Sequence, residues 1–127
     1  MKRFLALAAL ASGVAVAGTA FCSAWAAQPV SLSANTAGQL AELCTAQPLK
    51  PGADAKVNFC RGFAQGAITV ELAHAGDKKP FCFGTPAPSR AKTMSQFAAW
   101  VKGAPDRAAA PATEALFRFL GEQYPCK

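Results

Sequence analysis

The sequence predicts an all-α fold, a compact bundle of about four helices stapled by two disulfides. Three observations predict it. Apolar residues recur at helical spacing in several separate stretches. No run alternates with period two for long enough to argue for a strand. Four cysteines (Cys44, Cys60, Cys82 and Cys126) follow an apolar leader, an even set of the kind that pairs in a small exported domain. The chain has 127 residues, 52% apolar and 16% charged, which suits one domain with a core rather than two. Ten glycines and nine prolines without a period exclude collagen-like and repeat architectures.

The leader comes first. Lys2 and Arg3 precede an apolar run from Phe4 to Phe21, and Ala24-Trp25-Ala26 supplies a small-x-small cleavage site. That is the layout of a secretory signal peptide over residues 1–26, cut after Ala26 or, as second choice, after Ala27. A retained anchor is the poorer reading, because the run is built of Ala and Gly more than Leu and Ile and no basic stop-transfer cluster follows. Lipoprotein sites carry Gly, Ala or Ser before the cysteine. Phe21 stands there instead, so Cys22 is expected to leave with the leader. Residues 27–127 then form a single exported domain, expected in the periplasm. Without Lys2 and Arg3, eleven basic residues face seven acidic ones, a net charge of +4. No basic run exceeds Lys78-Lys79 and no aromatics interleave with it, so no nucleic-acid partner is expected. Nor is any later stretch long enough to span a membrane.

Within the domain, Thr36-Ala37-Gly38-Gln39 has the capping-box pattern. Leu40, Leu43 and Cys44 follow at i, i+3 and i+4, a short amphipathic helix. The prolines of Gln47-Pro48-Leu49-Lys50-Pro51-Gly52 make a loop. Asp54 is the expected N-cap of the longest helix, running to about Ala75 with Gly76 beyond its end. Val57, Cys60, Phe63, Ala64, Ala67, Ile68 and Leu72 form its apolar stripe. Gly62 and Gly66, one turn apart, are expected to let another backbone approach closely.

Ala75 to Pro80 is a charged turn, and Phe81 to Pro86 is irregular but apolar, hence held down. Thr93-Met94-Ser95-Gln96 repeats the capping-box pattern and is expected to open a helix with Phe97, Trp100 and Val101 inward, ending near Gly103. Ala104-Pro105-Asp106 breaks the chain. A last helix from about Ala109 to Glu122 turns Leu116, Phe117 and Leu120 inward, and Pro125 stops it one residue before Cys126.

Four cysteines allow three pairings. Cys44 ends one helix and Cys60 lies in the second turn of the next, so an antiparallel pair of helices sets them side by side. Cys82 and Cys126 lie outside helices, where the backbone adapts. The expected bridges are therefore Cys44–Cys60 and Cys82–Cys126. A zinc site is disfavoured, because its ligands come in close pairs and these cysteines are 16, 22 and 44 positions apart.

Catalytic chemistry has little to stand on. His74 is the one histidine, placed in the last turn of the long helix, where a partly protonated imidazole suits the dipole. Paired cysteines leave no thiol nucleophile. The sequence has no H-E-x-x-H, G-x-S-x-G or P-loop. No enzyme activity, cofactor or metal is expected.

The order of motifs then resembles a known family. Leu40-x-x-Leu43-Cys44 is followed by Cys60-Arg61-Gly62-Phe63-Ala64-Gln65-Gly66, then Phe81-Cys82-x-x-x-Pro86. The Phe97–Val101 helix with Pro105 after it and the closing Tyr124-Pro125-Cys126 complete the set. From about Thr36 to Cys126 the chain resembles the Rap1a/Tai family, small exported proteins that include immunity proteins of type VI secretion systems. The resemblance implies a periplasmic helical domain that dimerises and inhibits a toxic peptidoglycan amidase by occluding its cleft. Two departures are Phe63, where the family pattern commonly has Tyr, and Phe83-Gly84-Thr85 before Pro86, where it has an earlier proline.

A cleft-blocking protein needs something that protrudes. The turn carrying His74, Asp77, Lys78 and Lys79, pinned below by Cys82, is the candidate partner-binding tip; an ordinary solvated turn is its competing reading. The alternative function is a periplasmic binding protein or acid-stress chaperone with no toxin partner. One histidine and seven scattered carboxylates give an acid trigger little to work with.

Overall fold

A computed structural model describes Pro29 and residues 32–127. The expected leader, its cleavage site and Cys22 lie outside the described residues. Five helices follow in order: α1 (Ala37–Cys44), α2 (Ala53–Ala75), α3 (Arg90–Lys102), α4 (Pro105–Ala109) and α5 (Ala112–Gln123). Among the described residues there is no strand, so the fold is all-α, with one more helix than the sequence suggested.

The short α1 is the hub. Its capping box forms: the Thr36 hydroxyl accepts from the Gln39 N–H, and the Gln39 side-chain oxygen accepts from the Thr36 and Asn35 N–H groups at 3.2 and 2.9 Å. Ala37, Leu40, Ala41 and Leu43 are buried, and α1 packs against each of the other four helices. Gly38 has a steric reason. A Cβ there would lie 3.2 Å from the Ala108 carbonyl oxygen, so α4 comes closest to α1 at a residue with no side chain. The Ala37 N–H donates to Ala110 and the Ala112 N–H to Asn35, which ties the start of α5 to the start of α1.

Along α2 the structure corrects two expectations. The N-cap is Gly52, at φ 75°, and Asp54 sits instead in the first turn, where its carboxylate faces the positive end of the helix dipole. Gly62 and Gly66 are exposed, and a Cβ at either meets nothing within 4 Å. No backbone among the described residues approaches them, because the helix turns the opposite side, Ala53, Cys60 and Ala64, into the core. Gly76 ends the helix at φ 54°, a conformation that glycine adopts without strain.

The α3 start is also earlier than Thr93. Ser89 is the cap, its hydroxyl accepting from the Lys92 N–H at 3.2 Å. Thr93 is inside the helix and buried, donating its hydroxyl to the Ser89 carbonyl. With the orphan donors met at Ser89, Thr93 and Met94 are free to face the core. The expected break falls at Ala104, in extended backbone (φ −154°, ψ 130°), and Pro105 then opens a further short helix, α4, because proline at the first helical position sacrifices no needed N–H. Pro111 pushes Ala110 into extended backbone (φ −65°, ψ 153°), so α5 starts at Ala112 and not Ala109. Phe119 joins Leu116 and Leu120 in the core, and Phe117 is only half-buried. Phe119 meets Phe97 edge to face, centroids 5.6 Å apart.

Both expected disulfides form. Cys44–Cys60 closes the α1–α2 corner with a Cα separation of 5.2 Å, and Cys82–Cys126 ties the segment after α2 to the chain end at 4.8 Å. No helix among the described residues is long and apolar enough to cross a membrane.

Candidate partner-binding surface

The tip is built by the end of α2 and the segment that returns from it. Gly76 redirects the chain, and the Lys78 N–H donates to the Ala75 carbonyl at 3.0 Å to close the turn. His74, Asp77, Lys78, Lys79 and Pro80 are all exposed. The imidazole Nδ1–H of His74 donates to the Val70 carbonyl one turn back, at 2.9 Å, so this side chain lies along the helix. Among the described residues the one ion pair is Arg118–Glu122, far along the chain, so Asp77, Lys78 and Lys79 hold no salt bridge there.

The chain beyond the tip is anchored firmly. Phe81 is 1% exposed and packs on Phe83 and Phe117, with centroids 5.7 and 6.2 Å away. The Cys82 N–H donates to the Tyr124 carbonyl at 2.8 Å beside the disulfide. Tyr124 in turn packs on Phe83 and donates its hydroxyl to Gln96. A charged turn displayed above such a base loses little freedom on binding, which favours affinity. The surroundings are chemically quiet: the four cysteines of the domain are bridged, and no group of three or more His, Cys, Asp or Glu among the described residues could hold a metal ion.

A family model for Rap1a immunity proteins matches residues 36–126. The chain belongs to the Rap1a immunity protein family. The Rap1a match starts at the α1 cap and ends at the second disulfide, so it takes in all five helices and both bridges. No curated protein and no solved structure matches the chain.

Two surfaces of this Rap1a domain were not visible in its sequence. One is a groove of about 450 Å³ between the second half of α2 (Ala64, Ile68, Leu72) and the Phe83–Met94 segment. Helical spacing alone assigns Ile68 and Leu72 to the core. The other is an aromatic–cation cluster at Trp100. The Arg107 guanidinium lies 4.3 Å from the indole centroid and donates to the Trp100 carbonyl, while Arg118 lies 5.6 Å from the ring. The indole N–H donates to Glu122 at 2.7 Å. That bond, with help from Arg118 and against partial desolvation, holds the Glu122 carboxyl below its ordinary range. These residues come from α3, α4 and α5, separated by up to 22 positions, so no local sequence pattern could join them.

Proposed function

We propose that this chain is a periplasmic immunity protein that binds a peptidoglycan amidase effector of a type VI secretion system and blocks its cleft. The observation that carries the reading is the Rap1a family match over the whole helical domain. Export by a cleaved leader fits it, since two disulfides need an oxidising compartment to persist. The tip at His74, Asp77, Lys78 and Lys79 is the contact assigned to the amidase, and the working form is a homodimer. In this role the protein is an inhibitor, and it has no use for a cofactor.

The tip suits the role physically. Its charges are free for a partner among the described residues, and its base is fixed by Phe81 and Cys82. Charges of this kind govern association rate and salt dependence first, and affinity where a pair becomes desolvated. The test is a binding and protection assay against candidate amidases encoded beside this gene. The wild type should bind one of them and protect target cells. The triple change of Asp77, Lys78 and Lys79 to Ala should slow association and weaken binding at unchanged melting temperature. Full binding by that variant moves the contact to residues 89–93 or 103–107. Failure of the wild type to bind any amidase overturns the amidase assignment itself, and sedimentation as a monomer overturns the homodimer.

A further inference from the structure

The groove beside α2 has the build of a small-ligand site. Its volume of about 450 Å³ lies within the ~300–1,000 Å³ typical of such sites. The floor is apolar: Ala64, Ile68 and Leu72 from α2, faced by Phe83, Pro88 and Met94. At the rim, the exposed Gln65 amide donates to the Thr69 hydroxyl at 3.1 Å, while the hydroxyl of the buried Thr93 is taken up by the Ser89 carbonyl. One lining residue is charged. Arg90 is exposed at the first turn of α3, and no carboxylate among the described residues lies within ion-pair distance of it. The result is an apolar trough with a single cation at its edge.

We propose that this groove binds the carboxylate of a free medium-chain fatty acid, the alkyl chain along Ala64, Ile68 and Leu72 and the head group at Arg90. The size chooses among occupants. From Ala64 to Leu72 the groove follows α2 for about 12 Å, the reach of one medium chain. An extended peptide brings backbone N–H and C=O groups that need partners along its length, whereas the polar groups of this groove lie at its rim or, like Thr93, are already bonded. An alkyl chain brings no such groups. The lone Arg90 selects an anionic head over a cationic or neutral one, and a diacyl lipid has one chain too many. This site is separate from the tip, so it stands or falls independently of the amidase reading.

The test titrates the folded, disulfide-bonded protein with decanoate below its micellar range, by calorimetry and by amide chemical shifts. Decanoate should bind saturably at one site, with shifts confined to residues 64–72 and 83–94. Lengthening the probe from octanoate to dodecanoate should tighten binding by up to about fourfold per methylene. Arg90→Glu should weaken decanoate binding several-fold and reverse the preference, so that decyltrimethylammonium binds better than decanoate. Arg90 is exposed, and Arg90→Gln gives a milder check should the reversal disturb folding. Absence of saturable binding overturns the proposal, as does equal affinity of the wild type for decanoate and decyltrimethylammonium. Tighter association with anionic lipid vesicles than with decanoate overturns the free-acid assignment. Capture of an acidic amphipathic peptide in place of decanoate reassigns the groove to a protein partner.

Discussion

Replacing Gly62 and Gly66 with alanine should stabilise the protein. Both residues sit in the middle of the 23-residue α2, both are exposed, and a Cβ at either position meets no atom of the described residues within 4 Å. The substitution therefore adds no clash, and it recovers the difference in helix propensity, about 1 kcal/mol per site. The two methyl groups compete for no common space, so the double variant should gain about 2 kcal/mol. In a domain of roughly 100 residues each kilocalorie raises the melting temperature by about 4–8 °C. The assay is thermal and urea unfolding followed by circular dichroism, disulfides intact, at two protein concentrations. The urea slope should not change, because the surface exposed on unfolding is the same. An unchanged or lowered melting temperature would refute the reasoning, since only an unseen close neighbour could absorb the gain. A gain at low concentration that turns into a loss at high concentration would mean that a second copy packs on this face.

Four further outcomes rest on the packing, the bridges and the Glu122 carboxylate. Phe81→Ala should cost about 3–5 kcal/mol in urea unfolding and the half-buried Phe83→Ala clearly less, and the reverse order would remove Phe81 as the anchor of the tip. Loop entropy alone makes removal of Cys82–Cys126 cost about 4 kcal/mol and of Cys44–Cys60 about 3, but Cys60 is also buried, so paired alanine variants should destabilise by similar amounts. Alkylation without reductant should label none of the four. Glu122 has a lowered folded-state pKa, so its contribution is complete above the ordinary carboxylate range and is lost as pH falls through the lowered value. The melting-temperature gap between the wild type and Glu122→Gln should therefore close on acidification, and a gap independent of pH would exclude Glu122 as its cause.

Much of this architecture is legible in the sequence because it is set by short-range chemistry. The Thr36 capping box and the Gly76 stop are each determined by residues within one turn of one another. The disulfide pairing is legible for a related reason: Cys44 and Cys60 flank a single corner, which leaves Cys82 for Cys126. The boundaries that differ share another cause. Side-chain preference points to Asp54, Thr93 and Ala109, whereas the backbone at Gly52, the earlier Ser89 cap and the Ala110-Pro111 step decide those boundaries. Pro105 marks a break, and it also starts the next helix.

The surface features depend on something that periodicity does not carry, the relative lengths of the helices. At 1.5 Å per residue α2 is about 34 Å long, against about 12 Å for α1 and about 20 Å for α3. The hub is thus too short to cover its partner, and beyond Ala64 no α2 residue is fully buried although the apolar stripe continues through Ile68 and Leu72. Of one stripe, Cys60 and Ala64 are fully buried, while Ile68 and Leu72 farther along are half-buried at the edge of the core and wall the groove. The segment that returns past the uncovered half is itself fixed, by the buried Phe81 and by the Cys82–Cys126 bridge. The same excess length that leaves the groove open also carries His74, Asp77, Lys78 and Lys79 beyond the buried core. Groove and tip are two consequences of one mismatch, and both depend on the anchor at Phe81 and Cys82.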